Sequence, residues 1–501
     1  MAQSADRAIA LAAESGGHQF RNPVLGGAFI AAQFLALNVI GLFATAYIIR
    51  RLGPLQYGQW ATAAALASVH LLMTSAGLRT MFVREVARQP AHARELLASQ
   101  LALRIALAGV AAASAMATSV LLGYAPVVVA CTAVGCVWIV ISVIASTFGD
   151  LLQSLEQFGS YSAVAFASGV AVTASSIVAV FLGCGPVGLS IAYLAAPAVS
   201  ALLYWRSVRR HVEVGVQWEA SRVRSLLRDA RLVGLNQLAG AVRDRAESLL
   251  VPRLVGVEAF GIFSAGAMIG DRLANVPDAI CSAFYPRLSR AAHGASAAGL
   301  DQTVAGMLSV GVASSIPFAI VGTYLAESLS AVLLPHAHDV CRLVIQVSVW
   351  SVPLLAVSLG MTFALQAAGH HECVARLGLR VTAISALVSC ALIAAFGIEG
   401  ASWAVVARPL AIVVGLSAPF RRTFPRVLRN VPFVRIFLST TALIGVCLVG
   451  QRDRLWIAIL FAATGVAAYG IALLASRVFS LAAVVRLFAP ATPTVAVQLE
   501  S

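Results

Sequence analysis

LVGLNQLAGAVRDRAESLLVPRLV, residues 232–255, is the stretch on which the reading of the whole chain turns. It is apolar and long enough to cross a bilayer, for which about 20 residues suffice. Yet Arg243, Asp244, Arg245 and Glu247 sit near its centre. A single charge at the middle of a spanning helix costs about 2.5–3.5 kcal/mol even on insertion scales. Four charges within five residues therefore cannot face lipid. Helical spacing brings Asn236, Gly240, Arg243 and Glu247 (i, i+4, i+7, i+11) onto one face. That face lines a wet cavity, where intramembrane charge usually resides, or else Arg243 and Glu247 form a buried pair that locks helices together.

The composition fits that reading. The 501 residues are 60% hydrophobic and 11% charged, with a mean hydropathy of +0.88. Soluble domains carry about 25% charged residues, so the chain belongs among polytopic membrane proteins. The net charge of +14 is carried by arginine, there being no lysine. It reads as topology and attraction to anionic lipid, and no nucleic-acid partner is expected. The eight cysteines are scattered through apolar runs as packing residues, with no CxxC and no Cys/His cluster. No metal site is expected, including at His336 and His338 in a predicted outer loop, and no cofactor. The early apolar run 8–13 is too short for a cleavable signal, so the first spanning helix is expected to direct insertion.

Outward from the central stretch, apolar runs recur at the length a spanning helix needs. They lie near 24–49, 58–78, 96–123, 127–148, 161–183 and 186–205, then 231–255, 260–284, 304–326, 341–366, 374–396, 399–419, 433–451 and 455–476. The expected fold is an all-α polytopic membrane protein with about 14 transmembrane helices. Arginine placement orients it. With the N-terminus inside, 24 of the 35 arginines fall on the cytoplasmic side and six on the other: Arg50, Arg51, Arg253, Arg342, Arg452 and Arg454. The remaining five, Arg104, Arg243, Arg245, Arg272 and Arg408, lie within helices. This bias places both termini in the cytoplasm, with Asp150 and Glu156 solvated at the cytoplasmic edge.

An internal repeat ties the halves together. Arg50-x-x-Gly53-x-x-x-Tyr57-Gly58-x-Trp60 recurs 203 residues later as Arg253-x-x-Gly256-x-x-x-Phe260-Gly261-x-Phe263. At the same offset Phe82 and Arg84 match Tyr285 and Arg287. An offset of six helices preserves orientation, so the halves form two six-helix lobes related by a pseudo-two-fold axis along the membrane normal. The organisation is a cytoplasmic tail (1–22), an N-lobe (23–205), a basic cytoplasmic loop (206–231), a C-lobe (232–420), two further helices (421–477) and a second tail (478–501). The glycine–aromatic pairs mark tight outer turns with the aromatics at the interface belt.

At RLGPLQYGQW (51–60) and LRTMFVREVAR (78–88), the sequence resembles the polysaccharide transporter and O-antigen flippase branch of the multidrug/oligosaccharidyl-lipid/polysaccharide (MOP) exporters. RLVGVEAFGIFS (253–264) and AFYPRLSR (283–290) resemble the seventh and eighth helices of that family, in which an acidic residue nine positions before the glycine is usual; Glu247 holds that place. The resemblance implies movement of an undecaprenyl-diphosphate-linked oligosaccharide across the bacterial inner membrane, by rocking of the lobes and coupled to an ion gradient. It also implies polysaccharide polymerase or export proteins as partners. A drug/cation antiporter of the same superfamily and a peptidoglycan lipid-precursor flippase are the alternatives. An enzyme is not expected: the longest outer loop, 326–340, is too short for an active site, and no GxxxxGK[ST] loop or catalytic triad is present.

A diphosphate with a polar glycan needs cationic and hydrogen-bonding groups in a wet cleft, and arginine's planar fork suits phosphate oxygens. The candidate cavity residues are Arg243, Arg245, Arg272, Arg79, Arg84, Asn38, Gln33 and Asn236, joined by Thr45. Ser351, Ser358, Thr362 and Gln366 of the tenth segment either line the cavity or bond between helices, and Pro353 is a candidate kink. In the eighth segment Asp271, Asn275 and Asp278 form an acidic stripe interrupted by Pro277. Glu247, Asp244 and Asp271 are either ion-coupling sites or counter-ions.

Overall fold

The computed structural model describes residues 23–75, 77–88, 92–155, 157–210, 240, 245–293, 297–450 and 455–476. Over these residues the chain is helix joined by short turns. Helix α1 (Pro23–Leu72) runs through the first two predicted segments. Fifty residues of straight helix would be about 75 Å long, more than twice a bilayer's hydrocarbon core. Gly53 folds it back, with φ 73° that a side chain rarely adopts, and Pro54 opens the second run.

After α1 come α2 (Leu78–Arg88), α3 (Ala93–Leu121), α4 (Pro126–Ser154) and α5 (Phe158–Phe181). The sixth segment divides into α6 (Gly185–Ala192) and α7 (Ala195–Val208). Of the seventh, α8 (Ala246–Leu254) is described; Gly256 follows with φ 123° and caps α9 (Val257–Leu273). The eighth segment continues as α10 (Asn275–His293). Its break falls at Ala274, ahead of Pro277, which occupies the first turn of α10, where a missing N–H costs nothing.

Helix α11 (Ala297–Leu333) is followed by α12 (His338–Ser348), α13 (Ser351–Ala367) and α14 (His371–Thr423). Helix α14 holds the eleventh and twelfth segments, folded at Gly397 with φ 58°. The short α15 (Val427–Asn430) leads to α16 (Phe433–Val449) and α17 (Leu455–Ala475). Pro353 lies in the first turn of α13, after a break at Val349–Trp350. Among the described residues eight helices are long and apolar enough to cross a membrane, and the chain is a multi-pass membrane protein. Its outward faces carry large apolar side chains such as Leu121, Phe181, Leu387, Val434, Leu448 and Ile471, which lipid can cover.

The predicted outer loop 326–340 is shorter than expected. Helix α11 continues through Leu333, a 3₁₀ turn spans Pro335–Ala337, and α12 starts at once. Glu327 accepts from Arg342 at 2.8 Å and pairs with His338 at 3.2 Å, tying the two helices across that turn.

One apolar core unites the lobes at the end carrying Gly53 and Gly256. It joins Ile48, Ile49 and Tyr57 to Val251, Phe260, Phe263, Val344 and Ile345. At the opposite end the lobes have separate cores. Phe82, Leu97, Leu101, Leu151 and Val208 form one; Phe284, Leu288, Leu308, Leu365 and Phe420 form the other. The sequence placed the repeat's aromatics at the interface belt, but Tyr57, Phe260 and Phe263 are 5%, 2% and 4% exposed. They are needed to fill the inter-lobe core. Helices α16 and α17 pack on α11 through Tyr324, Leu443 and Ala462, and Tyr469 donates to the Ala313 carbonyl at 2.9 Å.

Candidate transport cavities

The repeat's second glycines bring the lobes into backbone contact. A Cβ on Gly58 would overlap the Val257 carbonyl oxygen and lie 3.1 Å from the Gly261 nitrogen. A Cβ on Gly261 would overlap the Pro54 carbonyl oxygen and lie 3.0 Å from the Gly58 nitrogen. The reciprocity is the molecular pseudo-two-fold expressed at two residues: only hydrogen fits on either side.

Beneath this contact a cavity of about 340 Å³ opens between the lobes. Tyr57, Trp60 and Ala61 of α1, Trp138 of α4 and Tyr193 just after α6 line one side; Arg245, Phe263, Ser264 and Asp271 line the other. Its aromatic wall is built by Tyr57 stacking near Trp60 (5.5 Å) and Trp60 near Tyr193 (4.7 Å). Arg272 crosses between lobes, donating to Thr45 Oγ1 at 3.3 Å and packing on Gly41.

A second cavity of about 340 Å³ lies within the C-lobe and shares Asp271 with the first. Gly240, Ser351, Ser358, Thr362, Gln366, Thr382 and Arg408 line it. The polar face of α13 thus serves cavity lining, while Ser358 and Thr362 also donate to carbonyls of their own helix. Beside this cavity Glu247, 3% exposed, accepts from Arg408 at 3.1 Å and from Ser389 at 3.2 Å. Arg408 comes from α14, 161 positions away, a distance over which no sequence spacing speaks.

A third cavity, of about 440 Å³, lies within the N-lobe and is lined by Arg79, Arg104, Ser142, Ser146, Asp150 and Tyr204 among others. Here the expectation of a solvated Asp150 fails: the residue is 4% exposed. It accepts from Arg104 at 3.0 Å and from Arg79 at 2.9 Å, because α3 and α2 close over it from two sides. A buried carboxylate this apolar in its surroundings is retained only when paired and hydrogen-bonded. Glu156 lies outside the described residues.

The sequence candidates therefore distribute as follows. Arg245, Asp271 and Arg272 meet near the inter-lobe cavity, Glu247 stands beside the C-lobe cavity on Arg408, and Arg79 belongs to the N-lobe cavity. Arg84 is exposed on α2, away from all three. Arg243, Asp244 and Asn236 lie outside the described residues, as do the side chains of Gln33 and Asn38. Arg104, Asp150 and Arg408 are functional candidates that the sequence reading passed over. Each was a charge inside or beside an apolar run, which was signal enough to single it out.

The fold is shared with solved transporters. Lipid II flippase MurJ in its inward closed conformation superposes with a TM-score of 0.70 at 10% identity, covering 89% of this chain and 98% of that one. An inward-facing multidrug resistance MATE transporter gives 0.58 at 15% identity, covering 77% and 99%. A MOP superfamily transporter from Pyrococcus furiosus gives 0.55 at 15%, covering 81% and 96%. A comparison with curated protein sequences finds no match. The sequence profile of the polysaccharide biosynthesis protein family matches residues 48–342, more than half of the chain, and the chain belongs to that family.

Proposed function

We propose that the protein is a flippase that carries undecaprenyl-diphosphate-linked oligosaccharide units across the bacterial inner membrane for surface polysaccharide synthesis. Family membership supports the polysaccharide pathway. The observation that carries the transport reading is the cavity between two lobes that touch at one end and have separate cores at the other. Fourteen crossings with both termini cytoplasmic would put the glycine contact on the outer side, so the cavity would face the cytoplasm, where lipid-linked units are made. Arg245 and Arg272, with Arg243 beside them in sequence, would hold the diphosphate through paired hydrogen bonds in a low-dielectric cleft. Asp271, open to two cavities, is the best placed of the acidic residues to exchange a coupling ion. Glu247 serves first as the counter-ion of Arg408.

A peptidoglycan-precursor flippase is the second reading, favoured by the likeness to MurJ. One experiment separates the two. Deletion of the gene should abolish surface polysaccharide and leave lipid-linked repeat units accessible only from the cytoplasmic leaflet, with growth intact. Accumulated peptidoglycan precursor and lysis would favour the second reading. Unchanged surface glycan in a strain without a paralogue would defeat the first.

A further inference from the structure

The N-lobe cavity holds a charge arrangement with no counterpart in the role given to the central cleft. Two guanidiniums converge on the one carboxylate of Asp150: Arg104 from α3 on Oδ2 at 3.0 Å, and Arg79 from α2 on Oδ1 at 2.9 Å. Two positive charges and one negative leave the cluster at +1. Arg104 also donates to Thr147 Oγ1 at 3.1 Å and Ser146 Oγ at 2.9 Å. Among the described residues its Nε has no hydrogen-bond partner, although the residue is 3% exposed. One turn away on α3, outside the cavity lining, both amide atoms of the fully buried Gln100 are likewise without partners among the described residues. Unsatisfied buried donors are rare in folded proteins, and each asks for a missing group.

Thr74, Ser75, Ser142, Ser146 and Ser200 line the same 440 Å³ space, the first two and Ser146 donating to backbone carbonyls three residues back, and its charged lining residues are the three named. A cavity with surplus guanidinium charge, the Arg104 Nε–H and the Ser142 and Ser200 hydroxyls matches an oxyanion bearing several acceptor oxygens. Arg79 is 53% exposed and stands on an eleven-residue helix that begins just after Gly77, whose φ of 81° marks a sharp turn.

We propose that this N-lobe cavity is a phosphate-binding site for the diphosphate of the lipid-linked cargo on its way to the central cleft, with Asp150 occupying the anion's place on Arg79 while the cavity is empty. The assignment to cargo rests on the flippase reading; the anion site itself does not. Arrival of diphosphate turns Arg79 from the carboxylate toward the incoming phosphate oxygens. Arg104, locked by Asp150, Thr147 and Ser146, is the fixed half of the site.

The test uses the full-length protein in nanodiscs and inorganic diphosphate as the titrant in calorimetry, with and without phosphatidylglycerol in the disc. Wild type should bind diphosphate in both discs, more weakly as salt rises. Arg79→Gln, at an exposed position that leaves the core intact, should weaken binding about tenfold, since a hydrogen bond to a charged group is lost. Asp150→Asn should tighten it about tenfold by removing the competing carboxylate. Absence of binding in wild type, or equal binding by wild type and Arg79→Gln, overturns the site. Binding abolished by phosphatidylglycerol assigns the cavity to a lipid headgroup and overturns the cargo assignment. Failure here is distinct from failure of the flippase reading. A deletion strain that loses surface polysaccharide while the protein ignores diphosphate keeps the flippase and rejects the site; the converse pair of results keeps the site and rejects the flippase.

Discussion

Glu247 gives one oxygen to Arg408 and the other to Ser389, so α8 and the two arms of α14 are fastened at a single buried carboxylate. Removing one partner strands the other charge in a dry place, which typically costs about 3–5 kcal/mol; removing both is often near neutral. Arg408→Ala alone should therefore lower the amount of protein in the membrane, and Arg408→Ala/Glu247→Ala should restore it. If the pair only holds helices together, export of surface polysaccharide returns with abundance in immunoblot and glycan assays. We expect abundance to return without export, because the pair borders both the C-lobe cavity and Asp271. At this scale the sequence was partly legible. Glu247 was conspicuous as a carboxylate in an apolar run, and burial of such a group demands a partner. The partner's identity was not legible. Arg243 stood four positions away and satisfied helical spacing, whereas Arg408 and Asp150's partner Arg104 lie 161 and 46 positions from the acids they serve. Local periodicity carries no information about which distant helices meet.

Among elements, α1 and α9 meet through Gly58 and Gly261, where a single methyl group would overlap backbone. The two helices can close the inter-lobe cavity only while both positions lack a side chain. Gly58→Leu or Gly261→Leu should accumulate normally, since each glycine stands in an otherwise regular helix, but should hold the lobes apart at that end. Ser264→Cys, which lines the cavity, reports this in a cysteine-free background. Labelling by a membrane-impermeant maleimide added to the periplasm should be slow with glycine at both positions and several-fold faster in either leucine variant. Unchanged labelling would deny the contact a gating part. The repeat was visible in sequence because both lobes need the same turn glycine and the same close approach. The helix breaks were legible in part: the chain breaks at Gly397, between the segments read at 374–396 and 399–419, but at Ala274 ahead of Pro277. Proline is comfortable in a first turn, and only backbone dihedrals reveal where a helix has already ended.

For the whole molecule, the decisive asymmetry is in arginine. The end at which the lobes have separate cores carries Arg79, Arg84, Arg287 and Arg290, and the end at which they share one carries Arg50, Arg51 and Arg253. Cytoplasmic loops retain cationic side chains because translocating them against the membrane potential and away from anionic lipid is unfavourable. The positive-inside bias therefore predicts that the end with separate cores faces the cytoplasm. Reporter fusions check this at three places. A phosphatase fused within 206–231 or after Asn430 should be inactive and a fluorescent reporter there bright; the phosphatase fused at 451–454 should be active. Because α16 lies between the last two sites, their reports must differ if that helix crosses at all, whatever the orientation. A periplasmic report from 206–231 would invert the lobes, expose the basic end outside, and turn the cavity between them into one that loads from the periplasm. Cytoplasmic reports from both arginine-rich loops would place the end with separate cores, and the side the cavity faces in this conformation, toward the cytoplasm.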